Sequence, residues 1–158
     1  MGALGAWNDM TIADYLDKAV ASMGEKTAII TYRMVDGSRN ALSYRELNGQ
    51  VTRMAAGLAG LGVEKGDIVS CQLSNWWQMT ALHLACVRIG AVLNPLMPIF
   101  REHELRFMLS MAESKVLVVP KVFRNFDHAT MAHDLQKSLP TLKHVLVIGS
   151  EEEDSFDK

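Results

Sequence analysis

The chain has 158 residues, enough for one domain that buries roughly 70% of the surface its unfolded form exposes. A hydrophobic content of 49% and a charged content of 22% are ordinary for a globular domain, and a formal net charge of −2 gives no electrostatic reason to expect nucleic acid or an anionic membrane as partner. No apolar run reaches membrane-spanning length, the N-terminus lacks a signal-peptide profile, and Cys71 and Cys86 read as buried reduced thiols, so a cytoplasmic location is expected.

Thr11 and Asp14 have the spacing of a capping pair, and Ile12, Tyr15, Leu16, Ala19, Val20 and Met23 follow at helical spacing up to Gly24. Residues 27–33 are β-rich, and Asp36-Gly37 signals a turn before 41–44, which predicts a short hairpin. Ser43 and Glu46 form a clearer capping box ahead of a helix whose apolar face is Leu47, Val51, Met54, Ala55, Leu58 and Leu61, with Gly57, Gly60 and Gly62 read as its C-terminal stop. A turn at Lys65-Gly66-Asp67 leads into an apolar strand over 68–73. Asn75 is the expected N-cap of an almost wholly apolar helix ending at Gly90, and a strand over 91–96 follows directly.

After Pro95 and Pro98 a helix is expected over 101–112, then a strand over 115–119 stopped by Pro120. Asn125 is the expected cap of a helix to about 139, and 144–148 is the last strand. Strands alternating with helices predict an α/β fold: an open, mainly parallel sheet with helices on both faces and right-handed crossovers, preceded by the short N-terminal β-hairpin. The acidic run Glu151 to Asp154, with Asp157, reads as a solvated tail.

Ligands of open α/β sheets gather beyond the carboxyl ends of the strands. Two segments fall there: Ser74 to Trp77 and Asn94 to Arg101. Trp76 and Trp77 are candidates for the edge of an apolar pocket or a partner surface, against the reading that both serve packing. Asn94 and Arg101 are candidates on the second segment, Arg101 as an anion contact or as a solvated helix-start residue. The histidines show no metal spacing: His128 and His133 are five apart, and His83 reads as a core histidine within its apolar helix. No phosphate loop of Walker type and no nucleophile elbow occur.

Three stretches, in order, resemble the amino-terminal part of the adenylate-forming acyl-CoA synthetase superfamily. Leu42 to Leu47 resembles its "(L)(S/T)Y-x-E-L" motif, and Gly62 to Val69 its "G-V-x-K-G-D-x-V" turn. Val87 to Leu96 is similar to its "K-x-G-A-x-x-x-P-L" segment, and Arg101 to Leu105 to the "R-x-x-E-L" that follows. Within the family the likeness is strongest to short- or medium-chain acyl-CoA and cyclohexanecarboxylate-CoA ligases.

The resemblance implies a parent enzyme of fatty-acid metabolism that uses ATP, Mg²⁺ and coenzyme A to turn a carboxylic acid into an acyl-adenylate and then a thioester. The family's Ser/Thr/Gly-rich loop ending in Pro-Lys, its adenine- and Mg-binding segment, its hinge Asp and its carboxyl-terminal Lys are absent from these residues. No catalytic, cofactor-binding or metal residue carries over. Residues 1–150 are therefore expected to be the first α/β subdomain of a larger enzyme, inactive alone, and 151–158 an acidic linker or cut end. Its expected partners are the remaining subdomains of the same polypeptide, and self-association through exposed apolar surface is anticipated. A free-standing α/β binding or interaction module that uses the Trp76–Trp77 edge is the alternative.

Overall fold

The computed structural model describes residues 9–32, 37–149 and 155–156. Arg33, Asp36, the acidic run 151–154 and Asp157 lie outside the described residues.

Local hydrogen bonding sets the first elements. Helix α1 (Ile12–Met23) starts on a reciprocal capping box between Thr11 and Asp14. Strands β1 (Thr27–Tyr32) and β2 (Arg39–Ser43) pair antiparallel as the expected hairpin. Helix α2 (Tyr44–Gly60) begins on the Ser43–Glu46 box and buries Leu47, Val51, Ala55 and Leu58. The face of α1 differs from the expected one: Ala13 and Leu16 point inward, whereas Ile12, Tyr15 and Met23 are exposed. Of the three glycines expected to stop α2, only Gly62, at φ +77°, takes the left-handed position past its end. Gly57 sits inside the helix, where glycine costs roughly 1 kcal/mol relative to alanine.

The main sheet consists of β3 (Ile68–Cys71), β4 (Val92–Pro95), β5 (Val116–Pro120) and β8 (His144–Ile148), all parallel in the order β4-β3-β5-β8. Its connecting helices are α3 (Trp77–Ile89), α4 (Glu102–Met111) and α5 (His128–Ser138). A two-residue turn joins the small strands β6 (Val122–Phe123) and β7 (Phe126–Asp127). Every residue of β5 is buried, as a central strand covered on both faces requires. Pro95, which has no N–H to donate, lies on the edge strand.

Two cores flank the sheet. On one face Val69, Cys71, Val116 and Val118 pack with α2 and α3; on the other Leu117, Val119, Val145 and Val147 pack with α4 and α5. The chain moves outward from β3 to β4 through α3, then returns past β3 to β5 through α4 on the opposite face. Reversing direction and changing face together keep one crossover hand throughout.

Three local expectations are corrected. The N-cap of α3 is Trp76, without a side-chain cap bond, because Asn75 lies one residue too early. Asp127, not Asn125, caps α5: its carboxylate accepts from Thr130 N–H at 2.9 Å. Asn125 stands instead in the β6–β7 turn, at φ +58° beside Arg124 at +49°. His83 is exposed on the outer face of α3 rather than in the core.

Candidate functional site

The motif segments meet at the amino ends of the strands. Gly66 N–H donates to the Gly90 carbonyl at 2.9 Å, so the turn before β3 is bonded to the turn before β4. The Lys65 side chain lies over Gly90, where an added Cβ would meet its Cγ at 3.0 Å. Lys115 Nζ donates to Asp67 Oδ2 and to the Gly62 carbonyl, both at 2.6 Å, while Asp67 also accepts from Glu64 N–H at 2.8 Å. The Lys115 bond and then the Glu64 N–H hold the Asp67 carboxyl below its ordinary range. Arg88 bridges Asp17 of α1 at 2.6 Å and Thr52 of α2 at 3.0 Å. These contacts lock the fold at the amino ends of the strands, remote from the carboxyl edge.

The opposite, carboxyl edge is where winding reverses, between β3 and β5, and it opens as a cleft of about 440 Å³. Trp76 and Trp77 line it together with Gln78 and Lys121, and Thr31 and Asn40 of the hairpin close one side. Phe123 of β6 holds the Trp76 ring edge-to-face, with centroids 5.9 Å apart.

Beside the cleft a buried polar network fixes the β4–α4 loop. Gln72, fully buried just past β3, donates from Nε2 to the carbonyls of Met97 and Phe100, both at 2.9 Å. Those two acceptors fix the amide orientation, so Gln72 Oε1 accepts from His128 Nδ1 at 3.0 Å and the histidine carries its proton there. Burial, then the Arg101 cation, pull His128 below the usual imidazole range; Asp127 and the Phe123 carbonyl oppose this less strongly. The result is a neutral ring at neutral pH.

Arg101 donates to the carbonyls of Pro98 at 2.8 Å and Phe100 at 2.9 Å, and its guanidinium sits 3.9 Å above the Phe126 ring. Asn94 donates to Ser70 Oγ at 2.9 Å, and Ser70 shares a 2.6 Å bond with Ser114.

Of the residues singled out in the sequence, Trp76 and Trp77 share the cleft. Asn94 and Arg101 stand apart from its lining, in the sheet and on the loop. Gln72, His128, Phe123 and Lys121 were missed. Gln72 carried a signal, as a polar residue closing an apolar strand; the others had none.

Beside the cleft, Gln72 engages its amide with the loop and with His128, whose Nε2 is buried without a hydrogen-bond partner among the described residues. Burial pushes the thiols of Cys71 and Cys86 up to about 12, which leaves them unreactive. Among the described residues no three His, Cys, Asp or Glu side chains gather as metal ligands. The helix behind the cleft starts on tryptophans rather than a glycine-rich loop. The donors present do not fit a triphosphate with its Mg²⁺.

The chain is thus an open, doubly wound α/β unit with a cleft at the carboxyl edge of its parallel sheet. The chain belongs to the AMP-binding enzyme family, whose model matches residues 16–158. It is 35% identical to the 2-hydroxy-7-methoxy-5-methyl-1-naphthoate–CoA ligase of Streptomyces carzinostaticus over 94% of this chain and 26% of that protein. It is 32% identical to the medium-chain fatty-acid–CoA ligase of Escherichia coli K12 over 90% of this chain and 24% of that protein. The acetoacetyl-CoA synthetase of Streptomyces lividans superposes with a TM-score of 0.77 at 28% identity, over 90% of this chain and 23% of that one. The chain thus spans about a quarter of the length of these relatives.

Proposed function

We propose that the chain is the first α/β unit of an AMP-forming acid–thiol ligase. A carboxylate oxygen of the substrate attacks the α-phosphorus of ATP, releasing pyrophosphate and leaving an acyl-adenylate. The thiol of coenzyme A then attacks the acyl carbon and AMP departs. The family match over residues 16–158 carries this reading. Residues 1–150 brace the adenylating core, and 151–158 are an acidic linker or cut end, of which Ser155 and Phe156 return to Val147 of β8. The unit is inactive alone, because the groups that cradle phosphate and stabilise the developing charge lie in other segments. ATP and coenzyme A supply puts the enzyme in the cytoplasm.

The acid is a short- or medium-chain fatty or alicyclic acid, a reading supported by the medium-chain fatty-acid–CoA ligase. The naphthoate–CoA ligase at 35% identity favours a second reading, an aromatic acid. Pyrophosphate release by the full-length polypeptide with ATP, Mg²⁺ and coenzyme A separates the two. Octanoate and cyclohexanecarboxylate are expected to drive it at least tenfold faster than 2-hydroxybenzoate; the opposite order selects the aromatic acid. No release with any acid, or a stop codon directly after Lys158, defeats the ligase reading and favours the binding module.

A further inference from the structure

A parallel sheet is stable when helices cover both faces. On one face α5 packs over β5 and β8, and Val145 and Val147 are buried beneath it. On the other face α3 and α2 cover β3 and β5, and of β8 only Ile148, at its end, is buried with them. Leu146 of β8 stays half-buried there, beside a groove of about 290 Å³ walled by Trp77, Leu146, Phe156 and the Met54–Leu61 side of α2. The groove is mainly apolar, with Gln50 and Arg53 at its rim.

Gly57 lines this groove. Its backbone is ordinary helix, without a positive φ, and a Cβ added to it would meet nothing within 4 Å. Nothing in the described fold uses the missing side chain, yet glycine weakens a helix interior. What glycine offers there is close approach by another backbone. Independently, Ser155 and Phe156 return to this place: Ser155 bridges Val147 in parallel, and Phe156 N–H donates to the Val147 carbonyl at 3.0 Å.

We propose that this groove seats an α-helix of the same polypeptide, contributed from beyond Phe156. The helix lays an apolar face on Trp77, Leu146 and Phe156 and crosses α2 at Gly57. Relatives about four times longer than this chain have the polypeptide to supply it, so the assignment rests on the reading of the chain as one unit of a longer ligase. The occupant is a helix rather than a small molecule because the uncovered element is a strand face, whose ordinary cover is a helix.

Gly57→Ala, measured in the 158-residue chain and in the full-length polypeptide, tests this. In the short chain the open groove accepts the methyl group and Tm rises by about 2–4 °C, as better helix propensity predicts. In the full-length polypeptide Gly57→Ala lowers Tm, and Gly57→Leu lowers it further. A rise of the same size in both overturns the assignment. So does a full-length polypeptide whose Tm Leu146→Glu leaves unchanged, because nothing then covers the groove. Full-length protein that melts as described but releases no pyrophosphate sinks the ligase chemistry and leaves the docking result standing.

Discussion

Replacing Gln72 with methionine keeps the length of the side chain and removes all three of its hydrogen bonds. The Phe100 carbonyl retains Arg101 as a donor and the Met97 carbonyl retains the Phe100 N–H, so only His128 Nδ1–H loses the partner shown here. A buried polar group left unsatisfied costs about 1–3 kcal/mol, so Gln72→Met should destabilise by about 2 kcal/mol. For a domain of this size that is a fall of roughly 4–8 °C in Tm. Urea unfolding followed by far-UV circular dichroism reads the change as a lower midpoint with the m-value unaltered. Gln72→Glu, which keeps an acceptor for His128 but cannot donate to two carbonyls, should be no milder. A Gln72→Met midpoint equal to that of the parent would show that the network does not hold the loop.

The remaining predictions concern groups whose surroundings are equally defined. His128 has a folded-state pKa below its unfolded value, so the unfolded chain binds more protons once pH falls through the unfolded pKa near 6.5. Its destabilising effect is absent above that pH and grows as pH falls toward the folded pKa; urea midpoints from pH 7.5 to 5 should fall less steeply in His128→Asn. Cys71 and Cys86, pushed up to about 12 by burial, should resist iodoacetamide at pH 8 until the chain unfolds; rapid labelling of the native protein contradicts their placement. Lys115→Met removes the cation that bridges Asp67 and the Gly62 carbonyl, and should lower stability by about 1–2 kcal/mol in urea titrations at pH 7. Loss of Asp67 protonation linkage in that variant, seen as a flatter acid limb below pH 4, checks the cause.

Elements were legible where their signals act within a few residues. The Thr11–Asp14 and Ser43–Glu46 boxes, Gly90 in its left-handed conformation and the strand-to-Pro boundaries all form from local geometry. Helix α1 shows the limit: its apolar residues span more than one stripe, and tertiary packing selected Ala13 and Leu16 over Ile12 and Tyr15. At α5 two cap-competent residues stood near each other, and the β6–β7 turn consumed Asn125 and left Asp127 to cap. His83 followed its helix rather than its neighbours, since even this apolar helix keeps one outer face. The site was least legible because its bonds are distant in sequence: Gln72 meets His128 across 56 residues and Phe100 across 28.

The most direct measurement is pyrophosphate release by the purified 158-residue chain, given ATP, Mg²⁺, coenzyme A and octanoate or 2-hydroxybenzoate in turn. A folded chain with a cooperative melt should release none above the no-acid background. Release that depends on the added acid would mean that the adenylating groups reside within these residues, contrary to the role of a bracing unit.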